Sequence, residues 1–202
     1  MLQYITRNDK RYSLAEQMQM AIEGGCAWIV VGHDGTSDQE LRTLAEEFLP
    51  LCRETSTILT FENRPELARE LGVHGVLLSD KELHAAKMRE ELGPEAIIGV
   101  VCDNAPAIVA LRRADIDYVQ FPAMPVSELA TIIMQVREAG TDTALVATGD
   151  FTPDNIYEVI AAGANGIATT AYILDAEDPV SATGALIAAL NNTKNNSGDT
   201  EK

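Results

Sequence analysis

The residues of this chain with the clearest chemical potential are acidic and follow short apolar segments. Asp34, Glu62, Asp103 and Asp150 each stand at or just after such a segment, and Arg64 is the one clear cation at an equivalent position. If the segments are parallel strands, their carboxyl ends meet at one face of the protein, where ligands bind. Carboxylate oxygens there suit a hard cation or a cationic ligand and repel a phosphate. The pattern predicts that the opening at the carboxyl ends of the strands, here called the mouth, is acidic.

The last third of the chain also contains residue types that bind phosphate. Gly149 and Asp150 follow one apolar segment, and Thr169 and Thr170 end the next. In a barrel of parallel strands, the loops after the last two strands commonly hold a phosphate through their N–H groups. A carboxylate at Asp150 would repel that dianion by roughly several kcal/mol at an intermediate effective dielectric. Asp150 therefore points away, caps the next helix, or faces a neutral or cationic ligand; Thr152 is the stronger cap candidate.

Gln120 and one histidine complete the set of candidate site residues. Gln120 lies within a few residues of the end of the sixth apolar segment. His33 follows the second, where a barrel enzyme could use a general base, or it is a solvated loop residue. His74 and His84 are predicted to lie in a turn and on a helix surface. The three cysteines are widely spaced, and no Cys-x-x-Cys or His-x-x-His cluster offers a transition-metal site.

Eight short apolar segments alternate with segments of helical periodicity along the chain. Each segment is continuously apolar, which is typical of a parallel strand covered on both faces. This order predicts an α/β fold, a single (β/α)8 TIM barrel. The predicted strands are Leu2 to Ile5, Ala27 to Val31, Thr57 to Phe61, Gly75 to Leu78, Ile97 to Val101, Tyr118 to Phe121, Ala144 to Ala147 and Gly166 to Thr169.

The barrel is predicted to occupy residues 1–190, followed by a disordered polar tail at 191–202 that has nothing to bury. A doubly wound open sheet is the alternative architecture, but no Gly-x-Gly-x-x-Gly turn follows the first strand. In a barrel, the candidates near strand ends are expected to converge at the C-terminal face. These are Glu62, Arg64, Asp103, Gln120 and Asp150.

The charge of the chain limits its partners. Its 31 acidic and 15 basic side chains give a formal net charge of −16, which repels nucleic acid and anionic membranes. No apolar segment is long enough to cross a bilayer, and the N-terminus does not read as a signal peptide. We therefore expect a cytoplasmic protein that binds a small-molecule ligand, with neither nucleic acid nor membrane as a partner.

Four segments of the sequence carry a resemblance to a known family: Phe61 to Ala68, His74 to Leu83, Ile98 to Val101 with Asp117 to Val119, and Thr148 to Ala171. They resemble the thiamine-phosphate synthase and TenI family. The resemblance implies a (β/α)8 barrel, usually a homodimer. The synthase members of the family are transferases that join hydroxymethylpyrimidine diphosphate to thiazole phosphate with Mg²⁺ and expel diphosphate, whereas other members are thiazole tautomerases or have no assigned reaction.

The residues that the resemblance assigns to diphosphate binding are replaced in this chain. Synthases end their second strand with Gln, Arg and Lys at alternate positions, where this sequence has Val30, Gly32 and Asp34. The loop that carries a Lys after the sixth strand is Pro122–Val126, without a basic residue. Tautomerase members place a His in that loop, and the nearest match is Ala123. The chain therefore lacks these residues of the synthases and the loop histidine of the tautomerases.

The metal ligands are altered as well. The family's Asn-Asp-Arg after the third strand corresponds to Glu62-Asn63-Arg64, and its Asp after the fourth strand corresponds to Glu82. Oxygen ligands from Glu62, Asn63 and Glu82 could still suit Mg²⁺. The family's Gly-Gly at the phosphate is Gly149-Asp150 here.

Three hypotheses follow from this comparison. In the first, the transferase site has degenerated and leaves small-molecule binding or an altered activity around Glu62, Asn63, Arg64, Gly149, Asp150 and Thr169. In the second, the chain is an active Mg²⁺-dependent synthase that recruits Arg7, Lys10 or Arg11 from the first loop. In the third, it is a non-catalytic regulatory or structural partner. We favour the first, because the lost residues are those that bind diphosphate.

Overall fold

A computed structural model describes residues 1–32, 35–79, 85–111 and 114–197 of the chain. Each strand pairs in parallel with its neighbours in sequence, and the last pairs with the first, so the sheet closes into an eight-stranded barrel. The predicted (β/α)8 TIM barrel is confirmed. The strands are β1 (Leu2–Ile5), β2 (Trp28–Val31), β3 (Ile58–Glu62), β4 (Gly75–Leu78), β5 (Ile97–Val101), β6 (Tyr118–Gln120), β7 (Ala144–Thr148) and β8 (Gly166–Thr169).

Helices follow the strands and form the outer layer. Ser13 starts the first with a capping box that includes Glu16, and Ser37 caps the second through its hydroxyl. Within the described residues, no helix is long and apolar enough to cross a membrane. The helices are α1 (Leu14–Glu23), α2 (Asp38–Thr55), α3 (Pro65–Leu71), α4 (Ala85–Leu92), α5 (Ala105–Leu111), α6 (Val126–Glu138), α7 (Ile156–Ala161), α8 (Ala171–Leu174) and α9 (Pro179–Ser197).

The end of the chain differs from the sequence prediction. Helix α9 continues to Ser197, into the segment at 191–202 that was expected to be a disordered tail; residues 198–202 lie outside the described part. Asp178 accepts a hydrogen bond from the Ser181 backbone N–H at 3.1 Å and so caps the start of the helix. Leu186 and Leu190 are buried. The helix thus continues beyond Leu190.

The barrel interior has its own small core, separate from the larger core between strands and helices. Trp28 and Tyr118 meet inside it edge to face, with ring centroids 5.0 Å apart. Gly99 gives the Tyr118 ring its space, because a Cβ on Gly99 would lie 2.1 Å from Tyr118 Cζ. The interior below the mouth is therefore filled with side chains.

Strand register arranges the inward-facing side chains in layers. Inward residues pair with inward residues, as in Ile5 with Val30 and Thr148 with Ala168. Because barrel strands are tilted, alternate strands supply each layer. The layer nearest the carboxyl ends contains Ile5, Glu62, Val101 and Thr148, and the next contains Val30, Leu77, Gln120 and Ala168.

Candidate functional site

Asn63 joins the ends of β3 and β4. It adopts a left-handed conformation, with φ of 51°, which Asn tolerates better than most residues. Its backbone N–H donates to the Leu77 carbonyl at 2.9 Å. Its side-chain oxygen accepts the Ser79 backbone N–H at 2.7 Å, and its Nδ2 donates to the Ser79 hydroxyl. Both polar atoms of the Asn63 side-chain amide therefore help to connect the ends of β3 and β4.

Arg64 is directed toward the start of α2. Its Nε lies 3.2 Å from Asp38 Oδ1, and its Nη1 donates to the Asn63 carbonyl at 3.0 Å. The one clear cation among the strand-end candidates is thus paired with a carboxylate of the chain itself.

Asp103 sits at the entry to α5. It accepts a hydrogen bond from Asn104 Nδ2 at 2.7 Å, and Asn104 Oδ1 in turn accepts the Ala107 N–H at 2.9 Å. This pair organises the first turn of the helix.

The described residues do not fit a Mg²⁺ site. Glu82, like Asp34 and the candidate base His33, lies outside the described residues. Glu62 faces the barrel interior and is half-buried, but the oxygen of Asn63 beside it is already bonded to Ser79. In the part of the chain that the structure describes, no three Asp, Glu, His or Cys side chains come together in a way that could hold a metal ion.

Two arginines of the loop between β1 and α1 are bound by acids. Arg7 Nη2 lies 2.5 Å from Asp175 Oδ1, and Arg11 Nη2 lies 2.7 Å from the same oxygen. Arg11 also pairs with Asp9 at 3.3 Å and donates to the Leu174 carbonyl at 2.9 Å. These arginines, which with Lys10 are the candidates to replace the missing diphosphate-binding residues, hold the first loop against the end of α8.

Two of the groups expected to bind phosphate are hydrogen-bonded within the chain, and a third is buried. The Gly149 N–H donates to the Ala168 carbonyl at 3.3 Å, and the Thr170 hydroxyl donates to the Ile5 carbonyl at 2.6 Å. Thr169 shares the strand face of Ile167, which packs in the core beneath the helices, and is 2% exposed. The predicted phosphate residues therefore bind neighbouring strands or face away from the mouth.

A cleft of about 340 Å³ opens between the loops that follow β6 and β7. Asp150 is exposed in its wall and makes no hydrogen bond or ion pair through its carboxylate with a described residue. The described residues that line the cleft are Ala123, Met124, Pro125, Val126, Gly149 and Asp150.

Asp150 does not cap the next helix. Asn155 precedes α7 at the N-cap position, and its Nδ2 donates to the Asp150 backbone carbonyl at 3.1 Å. Thr152, the stronger cap candidate, accepts the Asp154 N–H through its hydroxyl at 3.3 Å within the turn before α7. The Asp150 carboxylate is thus left at the cleft.

Gln120 and Thr148 lie on the neighbouring strands β6 and β7, on the face directed to the barrel interior. Gln120 is paired in register with Val146, two residues before Thr148. Gln120 Oε1 and Thr148 Oγ1 are both buried and have no hydrogen-bond partner. Thr148 ends β7, one residue beyond the strand end that the sequence predicted.

The fold defines the class of protein: a (β/α)8 barrel, with a cleft between loops at the carboxyl ends of its strands. The chain belongs to the thiamine monophosphate synthase (TMP-TENI) family, whose sequence model matches residues 2–173. This membership confirms the resemblance seen in the sequence and relates the chain to thiamine biosynthesis.

Individual relatives agree with the family assignment. The chain is 33% identical over 199 residues to a thiamine-phosphate synthase from Bacteroides thetaiotaomicron, covering 92% of this chain and 95% of the relative. It is 32% identical over 199 residues to one from Bacteroides fragilis, covering 92% and 98%. A solved thiamine phosphate pyrophosphorylase from Pyrococcus furiosus shares the fold, with a TM-score of 0.83 at 23% identity over 95% and 96% of the two chains.

Proposed function

We propose that this chain is a family member whose synthase site has lost its diphosphate-binding chemistry and which binds a small molecule in the cleft between the β6 and β7 loops. One observation supports this most directly. Arg7, Arg11 and Arg64 of the mouth loops are each bound by a carboxylate of the chain, while the cleft presents the carboxylate of Asp150.

The positions in and after β2 that the resemblance assigns to diphosphate binding support the same proposal. Val30 is fully buried inside the barrel and has no donor to offer. A Cβ on Gly32 would lie 3.4 Å from Glu62, so this position adjoins an acid. Diphosphate chemistry needs fixed donors and positive charge where negative charge develops. Each lost charge-assisted contact is worth about 1.5–3 kcal/mol, so several together remove orders of magnitude in rate.

The other two hypotheses have less support. An active synthase would have to recruit Arg7, Lys10 or Arg11. Both arginines are held by Asp9 and Asp175, which leaves the exposed Lys10. A partner-binding role would favour an exposed apolar face. Among the described residues, the only exposed large apolar side chains are Met134 and Tyr157.

The test is a synthase assay on the purified protein with hydroxymethylpyrimidine diphosphate, thiazole phosphate and Mg²⁺, measuring thiamine phosphate. The Bacteroides thetaiotaomicron relative, assayed in parallel, is the positive control. We expect no product above background from this chain. Turnover of about one per minute or faster would overturn the proposal and favour the active synthase.

A further inference from the structure

We infer that Arg7 and Arg11 form an oxyanion site beside the junction of β8 and β1, and that Asp175 of the same chain keeps this site closed as an autoinhibitory contact. The ligand class is a compact anion with several oxygens, of which phosphate and sulfate groups are examples. The site belongs to the first loop and the end of α8. It is separate from the cleft between the β6 and β7 loops, so the inference goes beyond the proposed function.

The two arginines converge on a single oxygen atom. Arg7 Nη2 lies 2.5 Å and Arg11 Nη2 lies 2.7 Å from the same Oδ1 of Asp175. Guanidinium groups bind carboxylates and phosphates through short, charge-assisted N–H···O contacts of this kind. The Asp175 carboxylate therefore stands in for the oxygen of an anionic ligand, and it shows that both arginines reach one point.

The backbone of the first loop is fixed independently of these ion pairs. Gln17 is 1% exposed, and its Oε1 accepts hydrogen bonds from the Arg7 N–H and the Tyr4 hydroxyl, each at 3.1 Å. Its Nε2 donates to the Arg7 carbonyl at 2.8 Å and to the Tyr12 carbonyl at 3.1 Å. One buried amide thus holds both ends of the loop. The arginines therefore stay close together without Asp175, and a pre-organised pair loses less freedom when it binds an anion.

The contact with Asp175 is exchangeable. The three side chains are 37%, 48% and 52% exposed for Arg7, Arg11 and Asp175. Ion pairs between exposed groups contribute little, because water solvates both partners when they separate. Asp175 also occupies the C-cap position of α8, where the free carbonyl groups of the helix end disfavour a carboxylate. An anion from solution can therefore compete with it.

The surroundings of the pair offer room for a ligand and limit its affinity. An open cavity of about 320 Å³ lies against the same loop, lined by Asn8, Asp9 and Lys10. Lys10 is exposed and adds a third cation to the loop. Asp9 stays 3.5 Å from Arg7 and 3.3 Å from Arg11, so it offsets one of these positive charges. We therefore expect weak binding, which the closed contact weakens further.

The test is a titration of the full chain with sulfate at constant ionic strength, with chloride as the balancing anion. The Nε–Hε signals of the arginines, followed by NMR, report binding at the site itself. We expect Asp175→Asn to bind sulfate about fivefold more tightly than the parent protein. Glu177→Gln removes the same charge from an exposed position two residues further on, and should change the affinity by less than about 1.5-fold.

Two double substitutions in the Asp175→Asn background locate the gain. Arg7→Gln with Arg11→Gln should return the sulfate affinity to that of the parent protein or below. Arg53→Gln with Arg69→Gln removes the same charge from exposed positions on α2 and α3, and should retain the gain. Native circular dichroism of each variant is the check on folding.

Three results would overturn the inference. These are equal sulfate affinities of Asp175→Asn and the parent protein, an equal gain in Glu177→Gln, and a gain that survives the loss of both Arg7 and Arg11. The synthase assay decides the proposed function separately, because the sulfate titration involves neither substrate nor the cleft between the β6 and β7 loops.

Discussion

The guanidinium of Arg7 lies 2.5 Å from the carboxylate of Asp175, which also receives Arg11 at 2.7 Å. One acid at the end of α8 therefore pairs with two cations from the first βα loop, and Asp9 supplies the second negative charge. The contact spans the junction where β8 meets β1 and the barrel closes. It both fixes the loop and withdraws positive charge from the mouth.

Asp175→Asn should increase the affinity of the protein for inorganic pyrophosphate by about three- to tenfold, because it releases two guanidinium groups from their shared acceptor. Isothermal titration calorimetry measures the change. Glu95→Gln, which alters the net charge equally in the exposed loop before β5, is the control and should leave the affinity unchanged. An equal gain in both variants would attribute the effect to net charge alone.

Asp150→Gly should strengthen the binding of inorganic phosphate severalfold. The change removes a repelling carboxylate from the cleft and leaves a glycine whose N–H can approach an anion closely. The same titration measures it, with Asp154→Gly as the control in the same loop. No gain in phosphate affinity would mean that the missing cations, rather than Asp150, limit anion binding.

Gly99→Ala should destabilise the protein by about 1–3 kcal/mol, because the new methyl group overlaps the Tyr118 ring inside the barrel. Urea unfolding measures the change in free energy. Gly184→Ala is the matched control in α9, where the new Cβ meets nothing closer than the Gly24 carbonyl at 4.0 Å. That variant should be neutral or more stable by about 0.5–1 kcal/mol, and a similar loss in both would contradict the packing argument.

Thiol reactivity should be suppressed in the native protein. Cys26, Cys52 and Cys102 are buried, and burial raises the pKa of the Cys26 thiol to about 11. Near pH 8 the thiolate fraction of Cys26 then falls by roughly two orders of magnitude relative to a free cysteine. Labelling with a disulfide reagent should be slow until urea unfolds the chain, when all three thiols react. A fast native phase would show that one of them is accessible.

Acid should remove one identifiable contribution to stability. Hydrogen bonds from Arg11 lower the pKa of Asp9 from its ordinary value of 3.8 to about 2. A lowered folded-state pKa stabilises the protein above the unfolded value, and this contribution is lost as pH falls toward 2. Asp9→Asn should therefore be less stable than the parent near neutral pH, with the difference vanishing in strong acid. Urea unfolding across this range measures it; a constant difference would exclude the ion pair as its cause.

The sequence by itself determined the fold and most element positions. The strands β1, β4, β5 and β8 have the predicted bounds, because a continuous apolar segment is a local signal of burial on both faces. Other strand ends differ by one residue, as at Glu62 and Thr148, because the last ladder residue depends on the neighbouring strand. The sequence also carried the family resemblance and the acidic character of the strand ends.

Only the tertiary structure decided which of those charged and polar groups are free. Arg7 and Asp175 are 168 positions apart in the chain, and Asn63 and Ser79 are 16 apart, so no local pattern reveals either pairing. Closure of the barrel brings these residues together and leaves the Gln120 oxygen buried without a donor. Side-chain type follows from the sequence, but hydrogen-bond partners follow from strand register and loop contacts, and these set the chemistry of the mouth.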